Sequence, residues 1–139
     1  MNEIKLQVGV KILLKNREGK YLLLYRNLEK YTDVKHPWDL IGGRINPGVS
    51  LIENLKREVF EETQIELNLD PQLIAAQDIF PQGKHVVRLT YVGNLNREVN
   101  PVLSEEHTKF SWFNLEEMEE LGEELDYFLK KLLNEGRIK

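Results

Sequence analysis

The stretch Arg57-Glu58-Val59-Phe60-Glu61-Glu62 places three carboxylates in five positions beside aliphatic residues. If it is helical, about 100° of turn per residue puts Glu58, Glu61 and Glu62 on one face, within an arc of roughly 100°. Like charges at spacings of three and four repel by about 0.2–0.5 kcal/mol per pair, and acids late in a helix oppose its dipole. The cluster therefore works against the helix that carries it. A divalent cation would relieve the repulsion, because hard ions such as Mg²⁺ take carboxylate oxygens, water and substrate phosphate. The competing reading is a solvated acidic face.

The neighbouring elements decide how such a cluster is held. Ser50 followed by Glu53 is a capping-box signature that starts a helix at Leu51. Ile52, Leu55 and Val59 then recur at helical spacing and face a core, leaving the acids along the edge of that face. Ahead of the helix, Gly42-Gly43 and Pro47-Gly48 bracket a tight loop in which backbone can approach a ligand.

Two apolar runs, 6–14 and 21–25, flank Asn16-Arg17-Glu18-Gly19 and predict a β-hairpin. The runs are nearly continuous rather than alternating, which predicts a sheet covered on both faces. A polar loop follows over 27–37, then a short strand over 38–41. Further strands are expected over 65–69, 73–80, 85–95 and 109–114. Apolar residues at helical spacing predict a helix over 115–133, broken near Gly122, and Gly136 leaves 137–139 as an expected frayed tail.

A chain of 139 residues suits one domain, and 41% hydrophobic with 30% charged residues is a globular balance without a membrane-spanning run. There is no cysteine, which excludes thiolate nucleophiles and cysteine-based zinc sites, so catalysis falls to oxygen and nitrogen groups. The net charge of −4 and the lack of a basic stripe with interleaved aromatics disfavour a nucleic-acid partner. No charged n-region with an apolar h-region begins at Met1, so the cytoplasm is the expected compartment. His36, His85 and His107 are dispersed without metal-ligand spacing and are expected to be surface or hydrogen-bonding residues, His107 being the one near a candidate loop.

Together, Gly43, Arg57-Glu58-Val59 and Glu61-Glu62 resemble the signature of the Nudix hydrolase family (MutT-like), G-x5-E-x7-R-E-U-x-E-E-x-G-U with U aliphatic, ungapped from Gly43 to Ile65. The resemblance implies a single Nudix domain over 1–139 with an α/β fold, a Nudix-type α/β/α sandwich with a mixed β-sheet between helices. It implies that the Gly42 carbonyl, Glu58, Glu61 and Glu62 bind Mg²⁺ (or Mn²⁺) and that Arg57 braces the acids. The implied reaction is hydrolysis of a pyrophosphate bond in a nucleoside diphosphate linked to another moiety. Glu58 is the expected general base, with Glu105 or Glu106 of Ser104-Glu105-Glu106-His107 as the alternative from a late loop. Arg26 stands where some members carry a phosphate-binding arginine. Trp38 is a candidate for stacking on a base, although an aromatic entering a strand is more often a core residue. The implied partner is a small nucleotide-derived molecule rather than a membrane, and many members are homodimers.

Two positions depart from the signature: Val49 stands at its first Glu and Gln64 at its Gly. Val49 can neither accept a hydrogen bond nor neutralise a cation. It motivates an alternative reading, a catalytically impaired Nudix-fold nucleotide-binding or regulatory module. Gln64 is expected to end the helix differently from Gly, because a left-handed conformation costs a side-chain-bearing residue roughly 1–2 kcal/mol.

Overall fold

The structure is a computed structural model that describes residues 3–139; Met1 and Asn2 of the expected 1–139 domain lie outside the described residues. Its strands are β1 (Lys5–Lys15), β2 (Tyr21–Arg26), β3 (Trp38–Asp39), β4 (Ile41–Arg44), β5 (Gln72–Ile79), β6 (Lys84–Asn94) and β7 (His107–Phe113). The helices are α1 (Leu51–Thr63), α2 (Leu115–Glu120) and α3 (Tyr127–Asn134), with a 3-10 turn at Gly122–Glu124 between the last two.

Continuous apolar runs in β1 and β2 have the cause expected of them: both faces of the sheet are covered. Val10, Ile12, Leu14, Leu22 and Leu24 pack with Leu55 and Val59 of α1. The alternate residues Leu13, Tyr21 and Leu23 pack with Met118, Leu129 and Leu132 from the C-terminal helices. Each such side chain, fully buried, contributes about 1.5–3 kcal/mol. Strand order is β3-β2-β1-β6-β5, with β4 added to β1 and β7 to β2. β1 and β6 run parallel while the other pairs are antiparallel, so the sheet is mixed and the three layers form the expected α/β/α sandwich.

The β1–β2 hairpin is more open than the sequence suggests. β2 pairs with β1 only at Lys15–Tyr21, and β4 occupies the edge left free, pairing Gly9 through Ile12 with Arg44 through Ile41. This divergence matters for function, because it brings the Gly42-Gly43 segment into the sheet beside α1.

Three expectations are corrected. Segment 65–69 is not a strand: Ile65 and Leu67 are buried, but the Glu66 carbonyl accepts from the Arg97 side chain through Nη2 and the Thr63 carbonyl just before the segment accepts from Val102 N. Alternation signals burial on one side, and a strand also needs a neighbouring edge. The tail is docked rather than frayed, because Ile138 is buried in the second core cluster and Arg137 N donates to the Leu132 carbonyl at 3.0 Å. Gln64 ends α1 in the left-handed conformation, φ 60° and ψ 15°, with its N–H bonded to the Phe60 carbonyl at 2.8 Å. The helix thus terminates as it would with Gly, and carries the strain.

Candidate active site

Helix α1 begins where Ser50 Oγ accepts from Glu53 N, and its buried face carries Asn54, Leu55, Val59 and Glu62. The acids therefore differ in depth. Glu62 is 4% exposed, Glu58 is half-buried, and the Glu61 side chain is 58% exposed. They form a graded edge running from core to solvent.

The β4 glycines fit that edge. Gly42 has φ +143°, and a Cβ there would lie 1.9 Å from the Val10 carbonyl oxygen. A Cβ on Gly43 would come within 2.8 Å of Glu58 Oε2, so the backbone passes directly over the Glu58 carboxylate. Gly42 N in turn donates to Glu62 Oε2 at 2.8 Å. Two acids of the cluster are thus held by one strand.

Arg57 ties the rest together. Its Nη2 donates to Glu58 Oε1 at 2.9 Å and to the Arg44 carbonyl at 3.2 Å, and its Nε stands 3.6 Å from Glu61 Oε1. Its Nη1 donates to Asn54 Oδ1 at 2.8 Å. Val49, 43% exposed, contributes no side-chain acceptor; its carbonyl accepts from Asn54 Nδ2 at 2.9 Å. Fully buried Asn54 also accepts from Asn46 N at 2.8 Å. The acceptor that orients Arg57 therefore comes from Asn54, one turn along α1, rather than from position 49.

Behind the acids lies a buried charge network that the sequence reading missed. Lys11 faces Gly42 across the β1–β4 register, and its Nζ lies 3.4 Å from Asp39 Oδ2 and 3.5 Å from the Gly42 carbonyl. Asp39 Oδ2 is also 3.9 Å from Arg26 Nη1. Burial alone would raise the Asp39 pKa, but Lys11, Arg88 and Arg26 outweigh it and hold this carboxyl below its usual value. For Glu62 the balance is reversed: burial pushes its pKa up to about 8 against the lowering effects of Lys11 and the Gly42 N–H, with Asp39 and Glu58 adding to the rise.

β7 supplies the far wall. Its pairing with β2 sets Arg26 opposite His107, past an irregularity at Tyr25/Arg26, and Asn27 N donates to the Glu106 carbonyl at 2.9 Å. His107, expected as a surface or hydrogen-bonding residue, is buried, and its Nδ1 has no hydrogen-bond partner. Its Nδ1 lies 3.8 Å from Glu62 Oε1, and burial lowers its pKa to about 4, opposed by Asp39 and helped by Lys11 and Arg26. With Glu62 raised and His107 lowered, both groups are neutral near pH 7 and form no ion pair.

Of the sequence candidates, Gly42, Arg57, Glu58, Glu61 and Glu62 therefore share one site, with Arg26 at its border, also 4.3 Å from the Tyr31 ring. Glu106 reaches it, within 4.8 Å of a ligand atom of Glu62. Glu105 instead turns to solvent and pairs with Lys30 at 3.1 Å. Trp38 takes the core reading: it is 8% exposed, with edge contacts to Tyr25 and Phe113 at 5.1 and 5.0 Å, so no ring face is free for a base. For Lys11 and Asp39 a polar residue inside an apolar strand run was the available signal; for His107 the one signal was its place next to Glu105-Glu106, which does not reveal its burial.

A family model described as the NUDIX domain matches residues 5–132. Among solved structures, the chain is similar to the MutT protein of Methanosarcina mazei Go1 at 30% identity, covering 96% of this chain and 94% of that one, with a TM-score of 0.79. It is similar in fold to a C. elegans Ap4A hydrolase in a binary complex, at 22% identity, 96% and 95% coverage and a TM-score of 0.69. The NUDIX domain of Shewanella oneidensis NrtR complexed with ADP ribose is also similar in fold, at 18% identity, 97% and 88% coverage and a TM-score of 0.71. No match was found among curated proteins.

Proposed function

This chain belongs to the NUDIX family, and from that premise we propose that it hydrolyses, with Mg²⁺ (or Mn²⁺), a pyrophosphate bond in a nucleoside diphosphate linked to another group. The observation that carries the reading is the cradle in which Gly43 backbone lies over the Glu58 carboxylate while Gly42 N holds Glu62. The donor set fits the ion: carboxylate oxygens of Glu58, Glu61 and Glu62 and the Gly42 carbonyl are the hard ligands that Mg²⁺ takes. When bound, the ion would offset the diphosphate charge and make an attacking water easier to deprotonate.

The chain's own groups have separate tasks. Arg57 fixes Glu58 through Oε1 and leaves its second oxygen to take the proton of that water. Oxygen from the water bonds to phosphorus as the bridging phosphate P–O bond breaks and its electron pair leaves with the departing phosphate. Glu106 is the alternative base, whereas Glu105 is occupied by Lys30. Arg26, half-buried at the end of β2, is placed to pair with substrate phosphate.

Fold relatives acting on Ap4A or binding ADP ribose make dinucleotides and nucleoside-diphosphate derivatives the first compounds to test. The reading also carries a single domain over 1–139 acting in the cytoplasm, as a monomer or homodimer that light scattering would distinguish. No helix among the described residues is long and apolar enough to cross a membrane. The impaired-module alternative rests on Val49; the bond from Arg57 Nη1 to Asn54 Oδ1 supports the catalytic reading by orienting Arg57 without an acid at position 49. The experiment is a panel of nucleoside triphosphates, nucleotide sugars and dinucleotides with Mg²⁺ or Mn²⁺, with products separated. Release of phosphate-containing products from at least one compound, lost in Glu61→Gln, is expected; ligand binding without turnover, and no activity gained by Val49→Glu, would favour the module.

A further inference from the structure

On the β7 side of Glu62 lies a donor set of different chemistry. One ring nitrogen of His107 and one carboxylate oxygen from each of Glu62 and Glu106 all lie within 4.8 Å of one another. His107 is 6% exposed, and its Nδ1 has no hydrogen-bond partner. At 3.8 Å from Glu62 Oε1, that nitrogen is beyond hydrogen-bonding range. Leaving a buried polar group unanswered destabilises a fold, so its retention here needs a reason. The main chain that carries the ring is fixed by the Arg26–His107 register and the Asn27–Glu106 backbone bond.

We propose that Glu62, Glu106 and His107 form a distinct site for a transition-metal dication such as Zn²⁺ or Co²⁺, the imidazole nitrogen selecting it over Mg²⁺. The site goes beyond the proposed function and rests on it only in sharing Glu62. Imidazole suits first-row transition ions, whereas Mg²⁺ takes oxygen and dehydrates reluctantly. Ligands about 2.0–2.2 Å from an ion stand roughly 3–3.5 Å apart, so closure requires a small approach of Glu62 to His107. Exposed Glu106 can swing in to complete it. Lys11 and Arg26 are the nearby cations, and both are directed at Asp39, at 3.4 and 3.9 Å. Three protein ligands leave a position open to water or a substrate phosphate, so the site borders the acids of α1 without duplicating them.

The test uses the full chain stripped of metal by chelation. Co²⁺ is titrated by its visible absorption, Mg²⁺ by calorimetry, and the His107 ring nitrogens are followed by NMR as Zn²⁺ is added. His107→Gln is expected to weaken Co²⁺ binding at least tenfold and to change Mg²⁺ affinity less than twofold, and one equivalent of Zn²⁺ is expected to shift the His107 resonances. Because His107 is buried, Glu106→Gln at an exposed position provides a second variant, expected to weaken Co²⁺ binding as well. Unaltered Co²⁺ affinity in both variants, or unmoved His107 resonances, would overturn the proposal. A weakened Co²⁺ site without hydrolysis of any nucleotide would remove the proposed function alone; hydrolysis with an unresponsive His107 would remove this site alone.

Discussion

Arg88 and Glu62 are both buried ionisable residues, 5% and 4% exposed, yet only Arg88 has its charge answered. Its Nη1 and Nη2 reach the two oxygens of Asp126 at 3.3 and 2.7 Å, and Asp126 also caps α3 by accepting from Leu129 N at 2.9 Å. That cluster joins β6 to the C-terminal helix. Glu62 has one backbone donor, the Gly42 N–H, and a neutral imidazole beyond hydrogen-bonding range. The difference teaches how a fold separates anchoring from chemistry: a buried ionisable group closed by its partner ties elements together, whereas one left without a counter-charge is held in readiness for something the chain does not itself supply.

The sharpest way to break the comparison is to remove charge from each cluster in turn. Glu58→Gln should lower Mg²⁺-dependent hydrolysis by about 10²–10⁴-fold, the usual scale for a lost general base, with little change in the urea midpoint. Arg88→Ala should do the reverse. Leaving half-buried Asp126 without its partner should cost about 1.5–3 kcal/mol in urea unfolding, while Mg²⁺ affinity of the folded fraction is unchanged.

The pH response of the metal-free protein sharpens the contrast. Glu62 rises from 4.5 to about 8 on folding, so the folded state holds a proton that the unfolded chain has lost, and stability falls as pH rises through that interval. His107 drops from 6.5 to about 4, so the unfolded chain binds the extra proton and stability falls as pH decreases through that range. Where the intervals overlap, between 4.5 and 6.5, the two slopes cancel. Urea midpoints should therefore contain a Glu62-dependent decline of up to about 2 kcal/mol between pH 6.5 and 8, absent in Glu62→Gln. The smallest effect is expected at the end of α1, where Gln64→Gly should stabilise the fold by about 1 kcal/mol by relieving the left-handed strain, measured by thermal unfolding.

Much of this architecture was legible because it is written locally. Apolar runs marked β1, β2 and β6, Ser50 and Glu53 marked the start of α1, and the acid spacing with Gly43 marked the edge of the site. What escaped depends on partners distant in sequence. The burial of His107 follows from β7 pairing with β2, and the role of Lys11 follows from its register opposite Gly42. Segment 65–69 has the alternation of a strand but pairs with no neighbouring strand, and Ile138 reads as tail until its core pocket exists. Trp38 shows the same limit, since an aromatic at a strand start has one pattern whether it stacks on a ligand or packs edge-on against Tyr25 and Phe113.

The most direct test of the claim that Glu62 is kept open for a cation is thermal unfolding of wild type and Glu62→Gln at pH 8, with and without Mg²⁺. Glu62→Gln should be more stable than wild type when metal-free, and Mg²⁺ should raise the midpoint of wild type but barely move that of the variant. A wild-type midpoint indifferent to Mg²⁺, or a metal-free variant that unfolds earlier than wild type, would contradict the account.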